Sequence, residues 1–185
     1  MVQDRLRLIL SKLPARVGAY STAMLHSYFP DEDASTVDKA LQRFVQRGVL
    51  ERVCRGVYVD PSSFVQHPYK LESIAAALRG GEYSYVSAES ALSEYGVISQ
   101  VVLGYLSVMT LGRSQRYETP YGTLELVHSS RSEAEIFART VSAVDRPLRL
   151  ASPSLAFDDL KRLRRNVSLI DHDTLAELTL HEGER

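Results

Sequence analysis

The sequence has a single cysteine, Cys54, among its 185 residues. One thiol excludes an internal disulfide and a cluster of cysteines around a metal ion. Because disulfides belong to oxidising compartments, we expect the chain to work in a reducing, cytoplasmic setting. The first residues also lack a basic segment followed by an apolar one, so we expect no secretory signal.

A long hydrophobic run is also missing. The longest mostly apolar stretch, 97–109, is interrupted by Ser99, Gln100 and Gly104. A helix needs about 20 consecutive apolar residues to cross a bilayer. The sequence therefore predicts that the membrane is not a partner.

Neither sign of charge is in excess. The 22 Lys and Arg residues against 23 Asp and Glu residues give a formal net charge of −1. This balance excludes a protein whose whole surface binds nucleic acid. Residues 1–60, however, hold nine basic and seven acidic residues, and the remainder holds 13 and 16. From Lys39 to Arg55 there are five basic residues and one acid, so a local basic surface is still expected.

Hydrophobic residues make up 44% of the chain, enough to expect a folded protein. Their spacing predicts two helices at the start. The first covers 4–13 and carries one apolar stripe of Leu6, Ile9, Leu10 and Leu13. The second begins at Ser21, whose hydroxyl can cap free backbone N–H groups, and ends before Pro30. Its inward residues are Leu25, Tyr28 and Phe29.

A third helix has the strongest pattern in the chain. Ser35 stands where an N-cap is expected, and Gly48 provides the C-terminal stop. The apolar face consists of Val37, Ala40, Leu41, Phe44 and Val45. The opposite face carries side chains that can bind base edges and phosphates, namely Thr36, Lys39, Gln42, Arg43, Gln46 and Arg47.

Two β-rich runs, 49–53 and 57–59, follow directly and flank a turn at 54–56, which predicts a hairpin. Three helices followed by a hairpin indicate a winged helix-turn-helix. In that arrangement the third helix enters the major groove of double-stranded DNA, and hairpin residues such as Arg52 and Arg55 contact the flanking backbone. A merely solvated helix face is the alternative, but the order of elements and the local positive charge favour DNA binding.

The rest of the chain predicts a second domain of α+β type. Asp60–Ser63 and His67–Pro68 are typical of a linker, so we expect domains at 1–62 and 68–180 and a frayed tail at 181–185. The helices expected here are 71–78, 88–95 capped by Ser87, 153–163, and a last one capped by Asp173 or Thr174. The strands expected are 83–86, 148–151, and 106–116 with 123–128, which are joined through a turn at 119–122 as a hairpin or as part of a small antiparallel sheet. The segment 132–144 is open to either form.

Three segments together resemble the AbiEi-type antitoxins of type IV toxin–antitoxin systems. Tyr85–Ile98 is similar to their S-x-x-S-A-L-x-x-x-G-hydrophobic stretch, and Val53–Tyr58 is similar to their R-G-hydrophobic-Y wing. Ala151–Asp159 resembles their A-x-P-x-x-A-hydrophobic-x-D stretch. The segments occur in the expected order and span roughly 4–165.

The resemblance implies an N-terminal winged helix-turn-helix followed by a mixed α/β antitoxin-like domain. Such a protein would be a cytoplasmic repressor of its own operon, acting in phage defence against a nucleotidyltransferase-like toxin. Apart from the resemblance, the small basic surface at 39–55 predicts moderate, salt-sensitive binding. We therefore expect a homodimer or paired sites, with an operator that contains inverted repeats. By position, the recognition helix would use Ser35, Thr36, Lys39, Gln42, Arg43 and Arg47, and the wing tip would use Arg55.

No catalytic, metal or cofactor site is predicted. The five histidines, His26, His67, His128, His172 and His181, show no paired metal-ligand spacing. Asp171–Asp173 is better interpreted as a helix-capping loop, and Asp158–Asp159 as a cap or a solvated helix face. Arg55 could lower the pKa of the Cys54 thiol, but the sequence places no histidine base beside it. The chain is therefore not expected to be an enzyme.

Two other functions are compatible with the sequence. The protein could be an orphan winged-helix regulator of a mobile element that binds DNA and neutralises no toxin. It could instead be a protein-interaction module, which the sequence pI near 6.5 favours.

Overall fold

The computed structural model describes residues 2–12, 18–99 and 103–182. The protein is of mixed α/β type with two sheets among the described residues, and it divides into two compact units, Met1–Gly80 and Gly81–Arg185. The first unit contains α1 (Val2–Lys12), β1 (Ala19–Ser21), α2 (Thr22–Ser27), α3 (Ala34–Gln46), β2 (Glu51–Cys54), β3 (Val57–Val59), α4 (Pro61–Phe64) and α5 (Lys70–Leu78).

The two helices predicted at the start of the chain are present as α1 and α2. Leu6 of α1 is fully buried, whereas Leu13 and the side chain of Leu10 lie outside the described residues. Ser21 caps α2 as predicted, because its hydroxyl oxygen accepts the N–H of Met24 at 3.1 Å. Leu25 is buried, so α2 contributes to the core that the periodicity predicted.

Helix α3 buries the predicted apolar face, with Val37, Ala40, Leu41 and Phe44 in the core. The predicted cap was wrong. Asp33, not Ser35, is the N-cap, because its carboxylate accepts the Ser35 N–H at 3.1 Å. The helix ends before Gly48, whose φ of +68° favours glycine.

The predicted hairpin is present as β2 and β3, which pair antiparallel around a turn at Arg55 and Gly56. Sequence reasoning missed β1, which pairs antiparallel with the other side of β3 and makes a sheet of order β1-β3-β2. Three residues are too few for an alternating pattern to show. The strand is held because Ala19 and Tyr20 are buried opposite Val59 and Tyr58.

The boundary predicted at 62–68 differs from the observed one between Gly80 and Gly81. The segment taken as a linker contains α4, which buries Phe64 and stacks it on His67 with ring centroids 5.5 Å apart. Helix α5, assigned by sequence to the second domain, packs against β1 of the first unit. Both helices complete the core of unit 1, so the chain leaves that unit only after α5.

The second unit contains β4 (Ser84–Val86), α6 (Ala88–Glu94), β5 (Tyr105–Thr110), β6 (Gln115–Thr119), β7 (Gly122–His128), α7 (Glu133–Ala138), β8 (Thr140–Val141), β9 (Arg149–Ala151), α8 (Pro153–Arg162) and α9 (His172–Glu182). Its strands form one mixed sheet in the order β6-β7-β5-β4-β9-β8. The prediction of one strand at 106–116 was wrong, because this segment is divided between β5, which pairs parallel with β7, and the start of β6. The antiparallel partner of β7 is β6, across the turn at Pro120 and Tyr121. Helix α6 packs on β5 and on α8.

Three expectations for unit 2 needed resolution or correction. The ambiguous segment 132–144 forms both a helix, α7 after its cap Ser132, and the short strand β8. The cap of α9 is Asp171, which accepts the N–H groups of Asp173 and Thr174, each at 3.1 Å. The tail predicted to be frayed begins within α9, which continues to Glu182, and 183–185 lie outside the described residues.

Candidate nucleic-acid interface

The outer face of α3 is exposed along the helix. The predicted contact residues on this face are all exposed, namely Thr36, Lys39, Gln42, Arg43 and Gln46, and the exposed Arg47 follows as the C-cap of the helix. Because the opposite face is fixed in the core, these side chains are presented by a rigid element. Polar and cationic groups on such a surface can exchange water for phosphates and base edges.

Ser35, also a predicted contact, is exposed, but its hydroxyl donates to the carboxylate of Asp33. The hydrogen bonds that the Ser35 hydroxyl and the Ser35 N–H donate to this carboxylate hold the pKa of Asp33 below its ordinary value. Ser35 therefore supports the start of α3 in this structure.

The hairpin turn is tied to the start of α2. The N–H of Thr22 donates to the carbonyl oxygen of Gly56 at 2.8 Å, and the Thr22 hydroxyl approaches the same oxygen at 3.3 Å. Gly56 has a φ of +79°, a left-handed conformation that allows the turn at low cost. These contacts fix the base from which the exposed Arg55 projects.

A cleft of about 630 Å³ lies between α3 and the hairpin. It brings together four residues that the sequence predicts to contact DNA, namely Gln42, Gln46, Arg52 and Arg55. The cleft does not include Ser35, Thr36, Lys39, Arg43 or Arg47 among its lining residues, which are Thr22, Asp38, Gln42, Val45, Gln46, Arg52, Arg55, Gly56 and Tyr58. Two of the lining residues, Thr22 and Asp38, were missed by sequence reasoning.

Asp38 places an acid in this otherwise basic cleft. Its carboxylate lies 2.8 Å from Nε2 of His26 on α2, and 51% of its side chain is exposed. A carboxylate there would repel a phosphate but could accept a hydrogen bond from the amino group of cytosine. The pairing joins two helices across 12 positions, so no local sequence pattern could have shown it.

The sequence left open that Arg55 lowers the pKa of the Cys54 thiol, but this pKa lies above its ordinary value. Burial raises the pKa of this thiol, and Arg52 offsets only part of the rise. The side chain is half-buried on β2. A thiol of raised pKa is a poor nucleophile at neutral pH, so Cys54 fits a packing role.

Unit 2 contains a buried polar cluster centred on Asp159, which is fully buried. Its carboxylate accepts hydrogen bonds from Ser87 at 2.7 Å and Tyr85 at 3.1 Å, and it pairs with Arg131 at 2.8 Å. Burial raises the pKa of Asp159, although these three donors oppose the rise. The interpretation of Asp159 as a cap or a solvated residue was therefore wrong.

A second cluster in unit 2 centres on Arg165. Its guanidinium contacts Glu89 at 2.6 Å and also the carboxylate of Glu125, which in turn accepts the hydroxyl of Tyr105. These groups come from α6, β5, β7 and the segment after α8. The Arg165 guanidinium thus pairs with both carboxylates, and these contacts join separate elements of unit 2. Sequence reasoning missed this cluster, because its members are up to 76 positions apart.

Within the residues that the structure describes, no group of three or more His, Cys, Asp or Glu side chains could hold a metal ion. Over the same residues, no helix has the length and apolar character required to cross a membrane. In comparisons with known proteins, no family model and no curated protein matches the chain.

Proposed function

We propose that unit 1 is a winged helix-turn-helix domain that binds double-stranded DNA. Helix α3 would enter the major groove, and the β2–β3 hairpin would contact the flanking backbone as the wing. The observation that carries this proposal is the cleft that joins Gln42 of α3 to Arg52 and Arg55 of the hairpin. One surface then offers an amide for base reading and guanidinium groups for phosphates.

The expected mode of binding follows from the number of charges. Lys39, Arg43, Arg47, Arg52 and Arg55 are exposed cations on α3 and the hairpin, whereas the whole chain carries a formal charge of −1. A few phosphate contacts give moderate, salt-sensitive affinity. The proposed operator therefore contains paired half-sites, arranged as inverted repeats and bound by two copies of the chain.

We further propose that the protein is a cytoplasmic antitoxin that represses its own operon and opposes a nucleotidyltransferase-like toxin. The support is the resemblance of three segments to AbiEi-type antitoxins. In unit 2, polar residues of two of these segments meet, because Ser87 donates to Asp159 at 2.7 Å. Ser90 of the first of these segments also accepts the N–H of Ser107 on β5 at 2.9 Å. The shared positions thus correspond to interactions that hold unit 2 together.

DNA binding is tested by gel retardation of the promoter of the protein's own operon. The K39A/R43A/R47A/R55A variant removes four exposed cations from α3 and the wing. We expect much weaker retardation, because each phosphate contact that is lost also loses the release of about 0.9 counterions that favours binding. The same DNA at several salt concentrations should show a flatter salt dependence for the variant.

A matched control removes four exposed cations elsewhere: Arg7, Lys12, Lys161 and Arg162, each changed to Ala. This variant should retard the promoter as the unaltered protein does. Normal retardation by the α3 and wing variant would refute the proposal. A salt-independent complex with a protein, together with absent retardation, would favour the interaction module instead.

The antitoxin role is tested by growth. Co-expression with a neighbouring nucleotidyltransferase-like gene should restore growth that the toxin alone arrests. If promoter DNA is bound but growth is not rescued, the protein is a regulator without antitoxin activity.

A further inference from the structure

Strand β6 lies at one edge of the sheet in unit 2. It pairs with β7 on one side, and no described strand pairs with its other side. Arg116 and Glu118 on this strand pair with each other at 2.8 Å, and 62% and 68% of their side chains are exposed. An exposed edge presents unpaired N–H and C=O groups that can pair with another chain.

The register of the hairpin identifies the groups that face outward. Thr119 pairs with Gly122 across a two-residue turn, and Glu118 lies opposite Thr123. The N–H of Thr123 donates away from β6, to the carbonyl oxygen of Gly104 at 2.8 Å. Because hydrogen-bonded and non-hydrogen-bonded pairs alternate in an antiparallel ladder, the backbone groups of Glu118 and Arg116 face the open edge.

The open edge is complementary to itself. In an antiparallel pair of two β6 strands centred on Tyr117, Arg116 of each copy lies opposite Glu118 of the other. Both residues direct their backbone groups outward, so the ladder hydrogen bonds form at the same positions as the charge pairs. On the other face, the two Tyr117 rings lie opposite each other, an arrangement that stabilises cross-strand pairs.

Neighbouring registers are disfavoured. Centring the pair on Arg116 or on Glu118 places like charges directly opposite each other, which is destabilising. If the pairing shifts by one residue, backbone N–H and C=O groups that face the open edge of one strand lie opposite residues whose backbone groups face β7 in the other copy. The ladder between the two copies then loses its hydrogen bonds. The charge order Arg-Tyr-Glu at 116–118 therefore selects one register.

We propose that two copies of this chain form a homodimer by antiparallel β6–β6 pairing centred on Tyr117. The pairing joins the two sheets into one continuous sheet. This inference rests on unit 2 alone and holds whether or not unit 1 binds DNA.

The proposal is tested by sedimentation velocity of the full chain over a concentration series, without DNA. The unaltered protein should associate reversibly to a dimer. R116E and E118R should each be monomeric, because each places like charges across the two-fold axis. An equimolar mixture of R116E and E118R should recover the dimer, since each chain then opposes the other's charge. The double variant R116E/E118R should also dimerise.

A second variant tests the backbone pairing. E118P removes an N–H that faces the open edge, so it should abolish the dimer while the β6–β7 hairpin keeps its hydrogen bonds. Circular dichroism melting of each variant checks that the fold is retained. A monomeric unaltered protein at every concentration would overturn the proposal. So would a dimer that persists in the folded E118P variant, or a mixture of the two single variants that stays monomeric.

Discussion

Charged side chains of the same types occupy opposite environments in the two units. On α3 and the hairpin of unit 1, Lys39, Arg43 and Arg55 are exposed to solvent. In unit 2, the side chains of Arg131 and Arg165 are only 13% and 19% exposed, and each pairs with carboxylates. The first group can exchange water for a ligand, whereas the second already has its partners within the fold.

The difference in environment implies a difference in role. Removing an exposed cation costs the fold little, because exposed ion pairs are worth about 0–1 kcal/mol. Removing one partner of a buried pair leaves the other charge buried and uncompensated. We therefore expect substitutions on the outer face of α3 to change binding and those in the buried clusters to change stability.

The largest effect is expected for D159A, which leaves Arg131 without its buried partner. Breaking a buried ion pair in this way costs about 3–5 kcal/mol. The loss should appear as a lower urea midpoint in equilibrium unfolding. DNA retardation by the folded fraction should be unchanged, because the substitution lies in unit 2.

The adjacent residue provides the control. Asp158 pairs with Arg139 and Lys161, but 42% of its side chain is exposed. D158A should therefore cost about 0–1 kcal/mol. Equal losses for D158A and D159A would contradict the contrast between exposed and buried charges.

The next largest effect concerns the base reading that we propose for α3. Q42A and R43A should each reduce discrimination against single-base changes in the operator by about 1–3 kcal/mol, because one base-edge contact is lost. The measurement is competition binding with operator variants. Unfolding midpoints should stay within experimental error of the unaltered protein, since both side chains are exposed.

Q66A is the matched control for Q42A, because Gln66 is exposed in unit 1 but lies outside α3 and the hairpin. It should leave specificity unaltered. If Q42A and R43A weakened all sequences equally, both side chains would be phosphate contacts rather than base-reading contacts.

The sequence predicted most elements because their patterns are local. Helix α3 could be recognised from its apolar spacing, and α2 from the cap residue Ser21, since both signals lie within a few residues. The hairpin around Arg55 and Gly56 carries a comparable local signal. Strand β1 could not be predicted, because its partner β3 lies about 40 positions later in the chain.

The clusters of unit 2 were missed for the same physical reason. Asp159 has a polar neighbour in sequence and resembles a solvated residue, yet its partners Ser87 and Arg131 are 72 and 28 positions away. The same limit applies to the boundary between the units. Proline and serine at 61–63 are typical of a linker, but Phe64 is buried in the core of unit 1, which only tertiary contacts reveal.

A smaller effect is expected for the β2–β3 hairpin, the proposed wing. R55A removes one exposed cation at the hairpin turn, so it should weaken binding to all DNA sequences alike. The slope of log K against log salt should fall by about one. The measurement is fluorescence anisotropy titration at several salt concentrations, with R7A as the control of equal charge. A change in sequence preference with R55A would instead indicate base contact by the wing.

The smallest effect is expected in alkaline titration of the Arg165 cluster. Burial and the hydrogen bond to Glu125 raise the pKa of Tyr105 to about 12. Since the unfolded phenol titrates near pH 10, the folded state retains this proton longer. The stability that the protonated Tyr105 hydroxyl contributes to the fold is complete below about pH 10. It is lost as the pH rises towards 12.

Ultraviolet titration of tyrosinate should therefore lose one late-titrating group in Y105F. The control Y83F, at a side chain that is 42% exposed, should keep that late group. If Y105F left the late phase unchanged, the Tyr105 hydroxyl would be open to solvent. The cluster of unit 2 would then resemble the exposed face of unit 1, and the contrast between paired and available charges would not extend beyond Asp159.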